Sequence, residues 1–568
     1  MTQEYDVIVI GAGVSGGIPA AAYLQKAGAK VLLIDANDAP AYNCRSYTWQ
    51  GATCTPCAGG FVGGAAPMWQ DLELEKFGAS MMLNPRAIGT VYDDNTSLFI
   101  GGLDHEGVIN SIAKYSEKDA QVWTAIMSRV QETFLELADL IYYQPASGSN
   151  LERMLDRLAY VADVPREHFA RMDAWEFLDY RFEDDHIKQM LAIPLVSTMV
   201  NANPDRRGEG AAGVLHPFYL VGGQMKGSNQ TLVDSLLRVF NHFDGELWLS
   251  SPVASIAVED GKTIGVKMAK ESQHCPGELI RAKHAVISNV GAIQTYHLLG
   301  DEVIRTADDS LATKMKHWDN QSRPSSVNVW LLKDMPSWSA EVQDPYLGTA
   351  DWLYIGLEKL SDWRTWHDAI VSGDQAGGFQ GWWEVFIPGG IDADLRGPNG
   401  EVCFRVESVV PYNLLNEDGS LDDTKWESYK WELVEKRTEV FERFAPGFKD
   451  LVIDVVMAKS PRDLWNDNRA MAFGCAQGGA FTGDQSYMGR MPYRMPISNL
   501  YMSNSVWPGN LTWCGSGHIV AGMVAEDMGI RDQSWWVSKP GEWFMENAQR
   551  LAPTGAGWKY MADLQAAN

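Results

Sequence analysis

The hydrophobic pattern at the start of the chain predicts a strand, a helix and a second strand in close succession. Residues 5–10 and 30–34 are short apolar runs rich in β-branched side chains, which is typical of buried strands. Residues 20–27 between them carry helical spacing, and Gly28 ends that pattern. The order indicates an α/β unit.

Later stretches predict further helices. Ser116 suits an N-cap, and the amphipathic pattern that follows it predicts a long helix through about residue 142. Residues 228–240 and 426–444 have the same kind of spacing, and residues 67–78 predict a short helix. Much of the predicted helical structure therefore lies outside the first unit.

Alternating and β-branched stretches predict additional strands. Residues 252–258, 263–268 and 279–288 alternate and turn as a β-meander. Single strands are predicted at residues 245–249, 326–332, 402–410 and 499–502. A helix over about 518–528 follows the last of them, after a stretch of small residues that suits an anion at the helix N-terminus.

A glycine-rich turn joins the first predicted strand to its helix. Gly11-Ala-Gly13-Val14-Ser15-Gly16 has the form G-x-G-x-x-G. Gly11 permits the tight turn, Gly13 lets the backbone approach a pyrophosphate, and Gly16 lets the helix pack closely on the strand. Strand, glycines, helix, second strand and a terminal acid appear in order, which predicts a dinucleotide site.

Asp35 ends the second predicted strand, where a carboxylate can accept a hydrogen bond from a ribose hydroxyl. A 2′-phosphate beside this carboxylate would be repelled, which excludes NADP. The motif alone leaves FAD and NAD both open.

Length and charge narrow the class of protein. A chain of 568 residues exceeds the roughly 250–300 residues of one core, so we expect at least two domains. A net charge of −26 disfavours nucleic acid as a partner. No apolar run reaches the roughly 18 residues of a membrane span, and the first strand begins too early to leave room for a signal peptide. We therefore expect a cytoplasmic protein, and peripheral membrane contact stays open.

The chain has seven cysteines, an odd number that predicts free thiols. Cys54 and Cys57 form a C-x-x-C pair, which is compatible with a redox dithiol, a zinc knuckle or two unreactive loop thiols. A second ligand pair with zinc-type spacing is missing, and the other two interpretations stay open. No metal site is predicted.

Four separated stretches together resemble one family, the phytoene dehydrogenase-like FAD-dependent oxidoreductases of the carotenoid desaturase and amine oxidase type. They are VIVIGAGVSGG with LLIDA, GGQMKGSNQTLVDSLL, PVASIAVEDGKTIGVKMAK with AVISN, and NLYMSNSVWPGNLTWCGSGHIVAG. This resemblance favours FAD over NAD, because the flavin ring of such proteins extends towards a second glycine-rich helix end near the C-terminus.

The resemblance implies an α/β fold with a Rossmann-like FAD-binding domain of the glutathione reductase type. An inserted α+β substrate domain with a mixed β-sheet completes it. The FAD-binding domain would comprise residues 1–70, 221–300 and 493–535, and the substrate domain residues 71–220 and 301–492. Residues 536–568 would form a C-terminal appendage.

The resemblance also implies the cofactor contacts. The residues expected to contact FAD are Gly11, Gly13, Val14, Ser15, Gly16, Asp35, Ala36, Arg45, Val253, Asn504, Leu511, Thr512 and Ile519. The family's H-P-G-G-G turn reads Trp507-Pro508-Gly509-Asn510-Leu511 here, so bulkier residues stand beside the ring. A narrower substrate entrance follows, which argues against a long carotenoid.

Candidates for chemistry and substrate contact are few. His518, at the start of the last predicted helix, could move a proton or stabilise charge, although a surface histidine would fit the same pattern. Trp507 and Trp513 are expected to form walls of the substrate site. The tryptophans between residues 318 and 383 would fill the core or line an apolar pocket, and their spacing leaves both open.

The sequence thus predicts an FAD-dependent desaturase or dehydrogenase that removes hydride from an apolar, terpenoid-like or aromatic small molecule. A flavin amine or alcohol oxidase that uses oxygen, and a non-redox flavin-binding partner subunit, remain as alternatives. The electron acceptor and the oligomeric state are not specified by the sequence.

Overall fold

The computed structural model describes residues 4–551 except 62, 85–86, 103, 199–222, 345–346, 351, 382, 417, 419 and 482. The strands are β1 Glu4–Ile10, β2 Val31–Ile34, β3 Tyr47–Trp49, β4 Ala52–Cys54, β5 Met81–Met82, β6 Ile88–Val91, β7 Ser97–Ile100, β8 Gln224–Met225, β9 Glu246–Trp248, β10 Val253–Glu259, β11 Lys262–Met268, β12 Leu279–Ser288, β13 Ser325–Leu332, β14 Trp352–Ile355, β15 Trp383–Phe386, β16 Val402–Val409, β17 Val452–Lys459 and β18 Leu500–Met502.

The helices are α1 Gly17–Lys26, α2 Met68–Asp71, α3 His105–Ala113, α4 Glu117–Ala138, α5 Gly148–Ala162, α6 Arg166–Phe169, α7 Ala174–Arg181, α8 Asp185–Thr198, α9 Gln230–His242, α10 Ala292–Leu299, α11 Asp301–Ala307, α12 Asp309–Lys316, α13 Leu360–Ser372, α14 Ala376–Gln380, α15 Pro388–Ile391, α16 Trp426–Phe444, α17 Phe448–Leu451, α18 Pro461–Asp467, α19 Gly515–Met528 and α20 Glu542–Leu551. None of these helices combines the length and apolar character needed to cross a lipid bilayer.

The first sheet brings together strands from three separated parts of the chain. Its order is β10-β11-β12-β1-β2-β9, and β18 pairs with β12. β1 runs parallel to β2 and β12, and β18 runs parallel to β12, whereas β10 and β11 form an antiparallel extension. The carboxyl ends of β1, β2, β12 and β18 therefore lie at one edge of the sheet, where open α/β sheets bind ligands.

Burial explains why the first strands have continuous apolar runs. Val31–Ile34 are buried at every position, and α1 covers this sheet with its alanine-rich face. A parallel sheet covered on both faces needs apolar side chains on both faces of each strand, so its strands do not alternate.

The second sheet is mixed, as the sequence predicts. Its order is β17-β13-β16-β15-β14-β6-β7, and the β14–β6 pair is parallel among otherwise antiparallel neighbours. One face packs on α16, where Trp330, Trp383 and Phe404 surround Phe441. Side chains point alternately to opposite faces of a strand. Tyr354, Glu384 and Glu407, which are in register on neighbouring strands, therefore lie on the face opposite α16, towards the first sheet.

Several predicted elements differ locally from the observed ones. The predicted helix over 67–78 is interrupted because Glu73 adopts a left-handed conformation (φ 51°), which ends α2 and starts a short 3₁₀ turn. The helix predicted over about 518–528 is α19, which begins at Gly515, three residues before the predicted start. Ser116 caps α4 as predicted, since its hydroxyl accepts from the Asp119 amide at 3.0 Å.

The described part of the predicted C-terminal appendage packs against the first unit. Trp536 lies 4.8 Å from the ring of Tyr23, and Trp543 stacks on Trp69 at 4.4 Å between ring centroids. The Ser538 amide donates to Asp71 at 3.1 Å. These contacts cover α1 and α2. The domain boundaries themselves stay a prediction.

Candidate functional site

A cavity of about 450 Å³ lies between the two sheets. Its walls include the loop after β1, the end of β2 at Asp35, and the loop after β18 from Asn504 to Trp513. The opposite wall is formed by Trp352, Tyr354 and Glu384 of the second sheet. A single cavity therefore joins the glycine-rich turn to the inner face of the second sheet.

The glycine-rich turn is a close-fitting cradle. Gly11 has φ +92°, which favours glycine. A Cβ at Gly13 would stand 2.5 Å from Asn289 Nδ2, and one at Gly16 would stand 2.2 Å from Asn289 Oδ1. Only glycine leaves room for Asn289, whose amide donates to the Gly11 carbonyl at 3.2 Å.

Asp35 is fixed at the end of β2 by backbone donors. Its two oxygens accept from the amides of Ala12 at 2.8 Å and Asn37 at 2.9 Å. Burial raises the pKa of Asp35, and the two backbone hydrogen bonds oppose that effect. The side chain lines the cavity, where its remaining lone pairs can accept from ribose hydroxyls.

The two ends of the chain meet at this cradle. The Ser15 carbonyl accepts from the Gly517 amide and from Ser516 Oγ, both at 3.0 Å. The Ser503 hydroxyl donates to Asn289 Oδ1 at 3.1 Å. The first turn of α19 is therefore held directly on the glycine-rich turn, and it brings the positive end of a second helix dipole to this region.

The cradle fits a dinucleotide that extends beyond the first helix. Gly13 itself lines the cavity, and the cavity continues past Asn504 and Leu511. Gln477 Oε1, on the same cavity wall, is buried without a hydrogen-bond partner among the described residues. An unpartnered acceptor of this kind suits a ligand donor, since burying it without one is costly. These residues fit FAD.

Most of the predicted cofactor and substrate residues line this cavity. Those that do are Gly11, Gly13, Val14, Ser15, Asp35, Ala36, Val253, Asn504, Leu511, Trp507 and Trp513. The remaining predicted contacts, Gly16, Arg45, Thr512 and Ile519, do not line it. Gly16 supports the turn through its packing on Asn289, and Arg45 instead pairs with the exposed Asp38 at 3.3 Å.

The structure does not bring the candidate catalytic residue, His518, to the cavity wall. His518 does not line the cavity, and its ring packs edge-on against Tyr23 at 5.2 Å and Tyr143 at 6.1 Å. Burial, with the positive charge of Arg531, lowers the pKa of His518 to about 4, so it is neutral near pH 7. Its position on the first turn of α19 points it away from the cavity, which the sequence pattern does not reveal.

The C-x-x-C cysteines are not activated thiols. Cys57 lines the cavity, and burial raises its pKa to about 12. Burial also raises the pKa of Cys54, which lies beside Cys403. Reactive cysteines need a lowered pKa, so both side chains stay protonated. The cysteines are free, and no cluster of potential metal ligands occurs in the described part of the chain.

Part of the cavity lining is apolar, and we call this part the apolar chamber. We use this term for the lining side chains Ile88, Ile141, Met154, Leu158, Ile193, Leu298, Trp352, Phe481, Trp507 and Trp513. The Trp507 indole donates to the Ile141 carbonyl at 2.9 Å, and its ring packs edge-on with Tyr487 at 4.8 Å. Such a chamber favours an apolar ligand.

The tryptophans of the middle region divide between the two roles that the sequence leaves open. Trp352 reaches the cavity, whereas Trp330, Trp338 and Trp383 belong to the core beneath the second sheet. Trp382 lies outside the described residues.

A buried guanidinium shapes the loop that carries Gln477 and Phe481. Arg490 donates to the carbonyls of Gln477, Gly478, Gly479 and Ala480 at 3.1–3.3 Å. Its guanidinium also lies 4.1 Å from the ring centroid of Phe481. Burial lowers the pKa of Arg490 to about 9, so the charge persists near neutral pH.

A cluster of charged side chains lies on the cavity face of the second sheet. We call Arg323, Glu384, Arg405 and Glu407 the charge cluster. Arg405 is fully buried and bonds both carboxylates, and Arg323 lies 3.7 Å from Glu407. Two cations and two carboxylates balance, as buried charges require.

Sequence reasoning missed this cluster and Asn289. Asn289 ends the AVISN stretch, so its position was detectable after a buried strand, but its contact with Gly13 was not. Glu384, Arg405 and Glu407 stand in apolar strands without a motif. Alternation alone indicates two faces of a strand and cannot tell that one of them meets a ligand cavity.

Comparison with known proteins gives the same classification. The family model described as an NAD(P)-binding Rossmann-like domain matches residues 9–72. One subunit of the limonene dehydrogenase of Castellaniella defragrans is 24% identical over 95% of this chain and 97% of its own length. Pyridine nucleotide-disulfide oxidoreductase domain-containing protein 2 of Rattus norvegicus is 24% identical over 93% of this chain and 94% of its own length.

A solved structure shares the fold over nearly the whole chain. Putrescine oxidase bound to putrescine has a TM-score of 0.54 at 13% sequence identity, covering 93% of this chain and 100% of that one. At this identity the likeness shows the fold alone. The family model and the two relatives identify the chain as an oxidoreductase with a Rossmann-type domain for FAD or NAD(P). The predicted fold class and enzyme class are confirmed, and FAD as the cofactor is supported.

Proposed function

We propose that this FAD-dependent oxidoreductase is a dehydrogenase that removes hydride from an apolar, terpenoid-like small molecule. The observation that carries the proposal is the single cavity that joins the dinucleotide cradle to the apolar chamber. When bound, FAD supplies the hydride acceptor. The chain's own residues hold the cofactor and position the substrate beside it.

Each part of the cavity has a separate task in this proposal. Asp35 binds the ribose, the Gly13 backbone approaches the pyrophosphate, and Asn289 keeps that turn in place. Trp507 and Trp513 exclude water and hold the substrate by contact alone, because they carry no acidic or basic group. A hydrocarbon held in this way is oriented by shape.

The charge balance of the site argues for a neutral substrate over a protonated amine. Glu384 and Glu407 both bond Arg405, and Asp467 bonds Lys459 at 2.6 Å. Each of these three carboxylates of the described cavity wall is already paired with a cation, so a buried ammonium would find none of them unpaired. Putrescine binding by putrescine oxidase is therefore not carried over to this chain.

The relatives add the substrate class and a finer affiliation. One of them is named as part of a limonene dehydrogenase, which supports a small terpene hydrocarbon in place of a long carotenoid. We also propose the affiliation with the phytoene dehydrogenase-like proteins, on the four stretches of sequence given above. A cytoplasmic location is part of the same proposal.

The test is anaerobic reduction of the bound flavin. The purified protein should be yellow, and a monoterpene hydrocarbon should bleach its visible absorbance within one turnover, while diamines and phenols should not. Bleaching by amines with release of peroxide in air would contradict the proposal in favour of an oxidase. A flavin that no member of the panel reduces would favour a non-redox partner subunit.

A further inference from the structure

We propose that Glu384 is the proton acceptor of this dehydrogenation, with Arg405 and Tyr354 as its positioning residues. The inference rests on the proposed function, because a dehydrogenation that forms a carbon–carbon double bond releases a proton as well as a hydride. It assigns the proton to a side chain on the sheet wall opposite the dinucleotide cradle.

The position of Glu384 satisfies the geometric requirement for such a group. Glu384 lies on β15 and lines the cavity between Tyr354 of β14 and Glu407 of β16, its partners in register. Its side chain is 12% exposed, and the exposed part opens on the cavity. The carboxylate is therefore accessible to a bound substrate and otherwise enclosed by the sheet.

Arg405 holds this carboxylate in place. Its guanidinium donates to Glu384 and Glu407 and, through Nε, to the Pro56 carbonyl at 2.7 Å. A Cβ at Gly59 would stand only 3.0 Å from Arg405 Nη1, so the loop beside the cradle packs directly on the guanidinium. A group fixed at this precision can meet a substrate C–H bond without reorganisation.

The two carboxylates of the charge cluster are not equivalent. Glu407 accepts from Arg405 and from Ser325 Oγ at 2.9 Å, with Arg323 3.7 Å away. Glu384 accepts from Arg405 and, at a longer 3.3 Å, from the Tyr354 hydroxyl. Glu384 thus accepts fewer short hydrogen bonds than Glu407 and is the less tightly held of the two.

Electrostatics agree with this assignment. Burial raises the pKa of Glu384, and the positive charge of Arg405 opposes that effect. A carboxylate whose pKa is raised towards the working pH is a better base than an exposed one, and it stays charged enough to act. The 12% exposure of the Glu384 side chain limits its contact with water.

The step balances in atoms and electrons. One C–H bond of the substrate breaks and its electron pair leaves with hydrogen to the FAD, which is reduced. The neighbouring C–H bond breaks, its electron pair forms the new C=C bond, and its proton joins a Glu384 oxygen. The neutral carboxylic acid returns this proton to solvent after the product leaves.

The first experiment is Glu384→Gln in the FAD-loaded protein, measured by stopped-flow flavin reduction across pH. We expect a rate loss of about 10²–10⁴-fold, the usual contribution of a positioned base. We also expect the decline in rate at low pH, which reports protonation of Glu384 in the wild type, to disappear. Glu341→Gln is the matched control, because Glu341 is also partly buried with a raised pKa but lies outside the cavity lining.

Two measurements independent of turnover accompany it. Infrared titration should show a carboxylic acid band that is present in the wild type and Glu341→Gln and lost in Glu384→Gln. Bound FAD should be the same in all three proteins, whereas a lower unfolding temperature of Glu384→Gln alone would report the cost of leaving buried Arg405 with one carboxylate. Where Glu384→Gln fails to fold, Tyr354→Phe serves, since losing a donor to the charged carboxylate should move the acid limb of the rate profile to higher pH.

Chemical rescue separates a base from an anchoring group. Formate should restore part of the rate of Glu384→Ala, since a small carboxylate can occupy the vacated position. A raised KM with unchanged kcat and pH profile in Glu384→Gln would mean that Glu384 only anchors substrate, and would overturn the inference. A wild type whose flavin no substrate reduces would refute the proposed function instead, which keeps the two failures apart.

Discussion

Single side chains decide whether the nucleotide cradle can accept a ligand. Gly13 and Asn289 occupy one small volume, in which the amide of Asn289 lies where any larger residue at position 13 would place its Cβ. The glycine is therefore required by the side chain of Asn289, which directly follows β12, as well as by the ligand. Gly13 contributes by having no side chain, whereas Asp35 contributes a carboxylate that two backbone amides hold in place.

Gly13→Ala should abolish tight FAD binding. The new Cβ would stand 2.5 Å from Asn289 Nδ2, so either the turn or Asn289 must move. We expect overpacking to cost about 1–3 kcal/mol of stability and the purified protein to be colourless. Flavin absorbance and calorimetry measure both effects. Gly148→Ala, where the added Cβ meets no atom within 4 Å, should stay yellow, and equal FAD content in the two variants would refute the account.

His518 should make the protein less stable in mild acid. The folded-state pKa is about 4, below the ordinary 6.5, so the unfolded chain binds a proton more readily. The contribution of neutral His518 is fully present above pH 6.5 and is lost as the pH falls towards 4, by up to about 3 kcal/mol. Denaturant unfolding of the wild type and His518→Gln at pH 7.5 and 4.5 should show a smaller pH effect in the variant. Identical pH dependence would count against burial of this imidazole.

Sequence patterns predict the secondary-structure elements better than they predict contacts between them. The strand over 402–410 and the helix over 426–444 are recovered within a residue, since long apolar alternation and helical spacing are local signals. The interruption at Glu73 depends on one left-handed residue, which no spacing reveals. The early start of α19 at Gly515 depends on its packing against Ser15, a contact 500 residues away in the chain.

The same limit explains which parts of the site could be predicted. The cradle residues follow one another in a motif, so Gly11 and Asp35 are identifiable from the sequence. Strand register alone brings together Glu384, Arg405 and Glu407. The side of α19 on which His518 lies turns its ring away from the cavity. Long-range register and helix rotation are properties of the folded chain.

Arg490→Met should detach the loop that carries Gln477 and Phe481. The variant keeps an apolar stem but removes the Arg490 hydrogen bonds to the four carbonyls of residues 477–480, of which Gly478 keeps Trp318 and Ala480 keeps Gln485 as a donor. We expect a loss of about 3–5 kcal/mol in stability and weaker FAD retention. Thermal unfolding and flavin release report on both. Arg494→Met removes an exposed pair with Asp527 and should differ little from the wild type; comparable losses in both variants would argue against this role of Arg490.

Contacts between segments far apart in sequence hold the folded chain together. β18 pairs with β12, α19 rests on the turn after β1, and Trp543 stacks on Trp69. The cavity is bounded by the turn after β1, by the loops that follow β12 and β18, and by the second sheet. The dinucleotide cradle and the apolar chamber therefore share one enclosure, although each is built from discontinuous parts of the chain.

A chain that ends at residue 492 should fail to retain FAD. It lacks Asn504, Leu511 and Trp513 from the cavity wall, and it leaves β12 without its neighbour β18. We expect low stability and no flavin absorbance after purification. A chain that ends at residue 551 keeps every described contact and is the control. Stoichiometric FAD in the shorter chain would contradict the proposed enclosure.

The contacts of Ser15 with Ser516 and Gly517 determine how early during synthesis the chain can bind FAD. After the glycine-rich turn has been made, the ribosome must add about 500 residues before Ser516 and Gly517 exist. At ~5–20 residues per second this takes tens of seconds or more. FAD consequently binds late in the synthesis of this protein. A message cut short before residue 504 therefore yields a polypeptide with most of the mass of the protein but without the second half of its FAD site.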